Sequence, residues 1–147
     1  FLREIKGDEI YNHEVGESVT VDVFKAGEIV DVTAVSKGHG YSGVIKKYGK
    51  HIGPKGHGSG YHRQIGSLAT NGRCNNRVHP GKKMSGHYGN VQRTISNLLV
   101  VSVDASKNCI LIKGSVPGPK KSILKIKTSA KLGNKTKAVK PLVSYAD

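Results

Sequence analysis

The sequence predicts a mainly β fold interrupted by a long, irregular, basic arm. β-branched and aliphatic residues gather in short runs, at 29–36 (Ile-Val-Asp-Val-Thr-Ala-Val-Ser), at 98–104 and at 109–113, and runs of this length bounded by turn-forming residues read as strands. A helical period is nearly absent. Between Asp31 and Asp104 there is no Asp or Glu, while the same span holds eleven Lys/Arg, six of the seven His and most of the 19 Gly. A stretch so rich in glycine and cations buries too little apolar surface to offset its ordering entropy unaided, so a partner is expected to complete it.

Taken in order, residues 1–5 and 18–24 alternate apolar and polar, the latter with Val19, Val21 and Val23 on one face, and read as strands separated by a turn at 14–17. Lys25-Ala26-Gly27-Glu28 links to the strand at 29–36. The loop Gly38-His39-Gly40-Tyr41-Ser42-Gly43 opens a short helix near 41–48, closed by Gly49. Residues 50–93 show neither period. An irregular segment longer than about 12–15 residues inside a compact domain is usually functional or disordered, which marks these residues as a docked arm. Regularity returns at 98–104, where Ala105-Ser106-Lys107-Asn108 supplies turn chemistry and 109–113 returns as the second strand of a hairpin. A rigid Pro/Gly turn at 114–120 precedes a last strand at 122–126, and the Lys-rich residues beyond are aperiodic. The expected organisation is therefore first strands at 1–36, an extended basic arm at 37–95, the remaining hairpin and strand at 96–126, and a flexible basic tail at 127–147.

The formal charge of +14 is unevenly spread. Residues 1–31 carry eight acids against Arg3, Lys6 and Lys25, so the remainder holds all the excess positive charge with only Asp104 and Asp147 opposing it. Such segregation is the electrostatic footprint of a polyanion-binding surface. Lys and Arg neutralise phosphates and release counterions, and glycine lets the backbone come close to them. No apolar run approaches the roughly 20 residues that span a bilayer, so no membrane partner is expected and a soluble intracellular protein is. Phe1 stands where an initiator Met would, so the natural N-terminus is expected upstream. Cys74 and Cys109 are widely separated with no Cys-x-x-Cys, which points to reduced structural thiols.

Two sharper motifs fail on chemistry. Gly38-His39-Gly40-Tyr41-Ser42-Gly43 matches the dinucleotide-binding pattern after a strand, yet no acidic ribose-binding residue exists about 20 residues on. Gly81-Lys82-Lys83 lacks the Ser/Thr of a phosphate-binding Walker loop, and Asn76 occupies its first glycine position. The arm's histidines have no carboxylate partners with which to build general-base or metal chemistry, so no catalytic residue, metal or cofactor is expected and no small-molecule substrate. They suit base stacking and phosphate contact instead, as do Tyr41, Tyr61 and Tyr88; Tyr48 is expected to pack the short helix. A nucleotide-dependent enzyme and a free DNA-binding module are the competing readings.

Several segments in one order carry a family resemblance: 30–46 (Val-Asp-Val-Thr-Ala-Val-Ser-Lys-Gly-His-Gly-Tyr-Ser-Gly-Val-Ile-Lys), His57-Gly58-Ser59 with His62-Arg63, Gly66-Ser67-Leu68, Gly81-Lys82-Lys83-Met84-Ser85-Gly86, and Gly114-Ser115-Val116-Pro117-Gly118-Pro119-Lys120. Over about residues 1–126 the chain resembles the bacterial-type large-subunit ribosomal protein family L three. The resemblance implies a translation-protein-type β-barrel, partial in this chain because the family's further N-terminal segment is absent, with one short helix and a loop that penetrates ribosomal RNA. It implies a structural constituent of the large ribosomal subunit, not an enzyme, in a cytoplasmic or organellar ribosome. Its partners would be large-subunit rRNA and neighbouring ribosomal proteins, its tasks support of assembly and buttressing of the region near the peptidyl-transferase centre. The residues expected to contact rRNA are Lys37, His39, Lys46, Lys47, Lys50, Lys55, His57, His62, Arg63, Arg73, Arg77, Lys82, Lys83, His87, Arg93, Lys120 and Lys121. Residues 70–76 would form the loop tip nearest the catalytic RNA, and Thr70 stands where some relatives carry a methylated glutamine.

Overall fold

The computed structural model describes residues 1–7, 11–68, 77–132 and 135–140. Its regular elements are strands β1 (Ile29–Val35) and β2 (Tyr41–Ser42), helix α1 (Val44–Tyr48), and strands β3 (Gly86–His87), β4 (Gln92–Asp104), β5 (Cys109–Lys113) and β6 (Lys125–Thr128). The fold is mainly β, as predicted. Four strands form one sheet in the order β5-β4-β1-β6, and β2 pairs with β3 in a two-stranded ribbon. Among the described residues this sheet is open and no closed barrel is found, which agrees with a barrel only partial in this chain.

The chain divides into two compact units. The first comprises Phe1–Val32, Ile95–Ser115 and Ile126–Asp147, the second Thr33–Thr94 and Val116–Lys125. In the first, Ile29, Val30, Val32 and Val100 are buried beside Ser129. The strand richest in β-branched residues therefore forms the centre, because such side chains pack well on a pleated surface covered by neighbours.

Entry into β1 depends on one glycine. Glu28 N–H donates to Lys25 O at 3.1 Å to close a turn in which Gly27 takes φ +89°. Gly27 N–H donates to Val100 O at 2.8 Å and Val100 N–H donates to Glu28 O at 2.9 Å, so two residues of one strand face one of the other. This is a bulge whose first residue needs left-handed backbone. Gly27 is buried, its carbonyl accepts from Lys137 N–H at 2.8 Å, and a Cβ on it would lie 2.8 Å from Lys137 O.

A second irregularity explains the acid inside β1. From the Glu28/Val100 bonds to Ser36, whose N–H donates to Val91 O at 2.9 Å, β4 uses one residue more than β1. Asn97 in this stretch of β4 has φ +62°. Its N–H donates to Asp31 Oδ1 at 2.9 Å, and Ala130 N–H donates to Asp31 Oδ2 at 3.1 Å. Ser129 Oγ donates to Asn97 Oδ1 at 2.7 Å. The carboxylate thus accepts amides from β4 and from the segment after β6. The Asn97 amide, then burial acting the other way, then the Ala130 amide, the Ser129 hydroxyl and the charge of Lys131 leave Asp31 below the usual carboxylate range.

The β4–β5 hairpin has the expected antiparallel pairing, from Leu99 opposite Lys113 to Asp104 opposite Cys109, with a bulge between Val100 and Ser102. Asp104 Oδ1 closes the turn, accepting from Ser106 Oγ at 2.6 Å, Ser106 N–H at 3.0 Å and Lys107 N–H at 3.2 Å. The Ser106 hydroxyl and then the Lys107 amide lower its pKa.

Three predicted strands change. Residues 18–24 form a short 3-10 turn, Val21–Val23, rather than a strand. Thr20 Oγ1 donates to Asp22 Oδ2 at 3.0 Å and Val21 N–H donates to Asn108 Oδ1 at 3.1 Å, so side chains replace ladder partners, while Val19 and Val23 stay exposed. Residues 1–5 form no strand, and Phe1, Leu2 and Ile5 are exposed, because alternation without a neighbouring strand leaves the backbone unpaired. The last strand lies at Lys125–Thr128 instead of 122–126. Beyond it the chain stays docked at Ser129, whose N–H donates to Ile29 O at 2.9 Å.

Two substitutions test this frame. Gly27→Ala combines left-handed strain with a backbone overlap and should cost at least about 2 kcal/mol in denaturant unfolding. Asp31→Asn should cost on the order of 1–2 kcal/mol at pH 7 after allowance for solvent screening. A carboxylate with a depressed folded-state pKa stabilises above its unfolded pKa and loses that effect as pH falls through the folded value. The wild-type advantage over Asp31→Asn should therefore shrink below about pH 4, and an advantage unchanged down to pH 2 would contradict the assignment.

Candidate nucleic-acid interface

The second unit contains no acid at all. Of the 24 Lys/Arg, 14 lie in it; the other ten share the first unit with all ten Asp and Glu, so the entire formal charge of +14 belongs to the second unit. The three ion pairs among the described residues, Lys6–Glu4, His13–Glu17 and Lys107–Asp104, all fall in the first unit. The folded chain also adds the 116–125 segment, with Lys120, Lys121 and Lys125, to the acid-free arm. Cations without internal counter-charges hold a field available to an external polyanion.

A backbone ladder roots the arm. Ser36 N–H donates to Val91 O, His39 N–H donates to Tyr88 O at 2.8 Å and Tyr88 N–H donates to Gly40 O at 2.9 Å. The strands continue as β2 and β3, with Tyr41 opposite His87 and Ser42 opposite Gly86. Gly89, at φ +74°, brings the two segments so close that a Cβ there would overlap Lys37 O. These bonds occupy the His39 amide and Gly40 carbonyl of the glycine-rich loop, which is consequently one edge of a ribbon rather than a phosphate cradle.

Rings and cations alternate along this ribbon. His39 stacks on Tyr88 with centroids 4.8 Å apart and planes at 23°, and Tyr41 meets His87 edge-on at 5.9 Å. Helix α1 starts at buried Val44, two residues after buried Ser42, and is capped by Gly49 in the left-handed conformation, whose N–H donates to Ile45 O at 2.8 Å. Lys46 and Lys47 occupy its last turn. Tyr48 does not enter a core as expected: it is 38% exposed, with Lys47 Nζ 5.3 Å and Lys83 Nζ 5.6 Å from its ring centre. Cation–π attraction lets two like charges share one ring.

The outer arm is braced by its own backbone. Gly53 N–H donates to His62 O at 2.8 Å, and His62 Nδ1 donates to Pro54 O at 2.9 Å, since a carbonyl can only accept. Tyr61 Oη donates to Gln64 O at 3.1 Å, and a Cβ on Gly53 or Gly66 would collide with Tyr61. Tyr61 is therefore a strut within the loop. Lys82 Nζ donates to Ser67 O at 2.9 Å and is half-buried, as are Lys47 and Lys50. Lys37, His39, Lys46, Lys55, His57, Arg63, Arg77, Lys83, His87, Arg93, Lys120 and Lys121 are exposed. Arg73 and the predicted loop tip at 70–76 lie outside the described residues. Among the described residues no three His, Cys, Asp or Glu side chains gather as a metal site, and no helix is long and apolar enough to cross a membrane.

The family model described as Ribosomal protein L3 matches residues 8–109. The chain belongs to the ribosomal protein L3 family. It is 53% identical over 131 residues to the large ribosomal subunit protein uL3 of Latilactobacillus sakei subsp. sakei (strain 23K), covering 89% of this chain and 61% of that relative. Against uL3 of Oceanobacillus iheyensis the identity is 52% over 134 residues, covering 91% and 63%. Against that of Geobacillus kaustophilus it is 47% over 137 residues, covering 93% and 63%. The chain thus spans about three-fifths of the length of the curated relatives it matches. The L3 match has residues in both units and includes β1, β4 and the β2–β3 ribbon.

Sequence reasoning found the cations and missed what organises them. Tyr88 as a stacking partner and Gly89 as the point of closest approach have no periodic signal, because their partners stand about 50 residues away. Gly89→Ala should open the ribbon root and accelerate amide hydrogen exchange at His39 and Tyr88 by at least tenfold, a local loss on the order of 1–3 kcal/mol, with little change at Val103 in the β4–β5 hairpin.

Proposed function

We infer that this chain is a structural, non-catalytic constituent of the large ribosomal subunit that binds rRNA through its second unit. The observation that carries this reading is the placement of all the net positive charge on one acid-free unit while the other is neutral. The relatives, each a large ribosomal subunit protein uL3, supply the particle. Exposed Lys37, Lys46, Lys55, Arg63, Arg77, Lys83, Arg93, Lys120 and Lys121 neutralise phosphates; the histidine and tyrosine rings of the ribbon meet unpaired bases. The four-segment organisation read from the sequence fits this division of labour: strands anchor at 1–36 and 96–126, the arm at 37–95 reaches into RNA, and the residues after 126 add cations. In this reading the arm supports subunit assembly and buttresses RNA near the peptidyl-transferase centre, alongside neighbouring ribosomal proteins. The glycine-loop enzyme reading loses its basis, because the loop's amide is committed to Tyr88.

RNA affinity should fall steeply with salt. Replacing Lys55, Arg63 and Lys83 together with Ala should reduce the slope of log K against log[salt] by about 2–3, the release expected for three phosphate contacts, in filter-binding titrations with large-subunit rRNA. An unchanged slope would argue against the arm as the RNA-binding element.

A further inference from the structure

The second unit contains a cleft of about 380 Å³ at the root of the arm, lined by Ser36, Lys37, His39, Tyr88, Gly89, Val91, Arg93, Val116 and Gly118. This volume lies near the lower end of small-ligand sites, roughly 300–1,000 Å³, and suits one nucleotide better than a longer segment. The ladder from Ser36 to His39 against Tyr88 to Val91 forms one side, and Gly118, at φ +99°, sits where a Cβ would lie 2.8 Å from Val35 O. Three chemical elements converge in it. His39 and Tyr88 form a stacked ring pair, and both residues line the cleft. Lys37 and Arg93 bring two charges that no acid of this unit can neutralise. Ser36 Oγ accepts Val91 N–H at 3.3 Å, which leaves its own proton to donate. Val91 and Val116 add apolar surface beside the rings.

We propose that this cleft holds a single unstacked ribonucleotide, its base extending the His39–Tyr88 stack and its phosphate held by Lys37 and Arg93. An acidic peptide would use the two cations but leave the ring pair without a planar partner; a paired RNA strand would use the cations but keep its bases inside the helix. The rings and cations together select a base that has left its stack. The proposal rests on the RNA-binding reading and sharpens it, since it assigns one site where a base, and not only a phosphate, is recognised.

The test is an NMR titration of the full 147-residue chain with each of the four ribonucleoside 5′-monophosphates, ribose 5-phosphate and inorganic phosphate. At least one nucleotide should shift the His39 and Tyr88 ring protons upfield by ring current and saturate, whereas ribose 5-phosphate and phosphate should leave those protons unmoved. Tyr88→Ala should abolish the response. Lys37→Ala and Arg93→Ala should each weaken binding about tenfold, the effect of one lost charge-assisted bond. Val116→Trp, which fills the cleft without removing a charge, should block the response while His62 and Tyr61 resonances keep their positions. Equal shifts with phosphate alone, shifts confined to rings outside the cleft, or a response that survives Val116→Trp would overturn the proposal. If the shifts are absent while rRNA binding keeps its salt dependence, the cleft assignment fails and the RNA-binding reading stands; loss of rRNA binding as well sinks both.

Discussion

The carboxylate of Asp31 holds together three stretches of chain that are remote in sequence. It lies in the central strand and accepts one amide from β4, where an extra residue has twisted Asn97 into left-handed backbone, and one from Ala130 after β6. Without an acceptor at that level, the bulge would leave an amide unpaired beside the core, and buried or half-buried amides are costly to orphan. An acid in the middle of a β-branched strand is otherwise a poor strand former. Its value comes from the irregularity opposite it, so the bulge and the acid are a single device. Gly27 plays the complementary part at the strand's start, where a side chain would strike Lys137 O.

Around that fixed sheet, electrostatics divides the molecule. All ten acids serve the first unit, several as hydrogen-bond acceptors that cap turns and bulges: Asp31, Asp104, Glu17 and Glu28 each accept from backbone or hydroxyl donors. The second unit forgoes such acceptors and makes its turns with glycines and backbone carbonyls instead. The consequence is mutual repulsion among its cations, moderated only by spacing, by solvent and by contacts such as those of Lys47 and Lys83 with Tyr48. Few of its described side chains are buried: among the described residues, Ala34, Ser42 and Val44, with Pro117, are its share of the interior. A unit with so little core and so much uncompensated charge gains most from a polyanion.

Much of this was legible in the residues. The β-branched run at Ile29–Val35 and the hairpin of β4 and β5 follow from local pattern, as does the short helix closed by Gly49, whose glycine supplies the left-handed cap. The strand expected at 18–24 failed because alternation specifies a face and not a partner; Asn108 and Asp22 captured the groups a neighbouring strand would have bonded. Tyr48 has the local setting of a packing residue, yet two lysine ammoniums flank its ring.

Net charge, its segregation and the absence of acids from residues 32–103 are properties of residue types and survive any folding, so the sequence by itself determined that one part of this protein carries unopposed positive charge. It also determined family membership, since the order of motifs needs no coordinates. Only the tertiary structure decided that residues 116–125 join the arm, that the first unit is electrically neutral, that Asp31 serves a bulge 66 residues away, and that His39 and Tyr88 stack at the edge of a nucleotide-sized cleft. The reason is physical: charge is additive along a chain, whereas a hydrogen-bond partner or a cavity wall is chosen by which distant segments the sheet brings into contact.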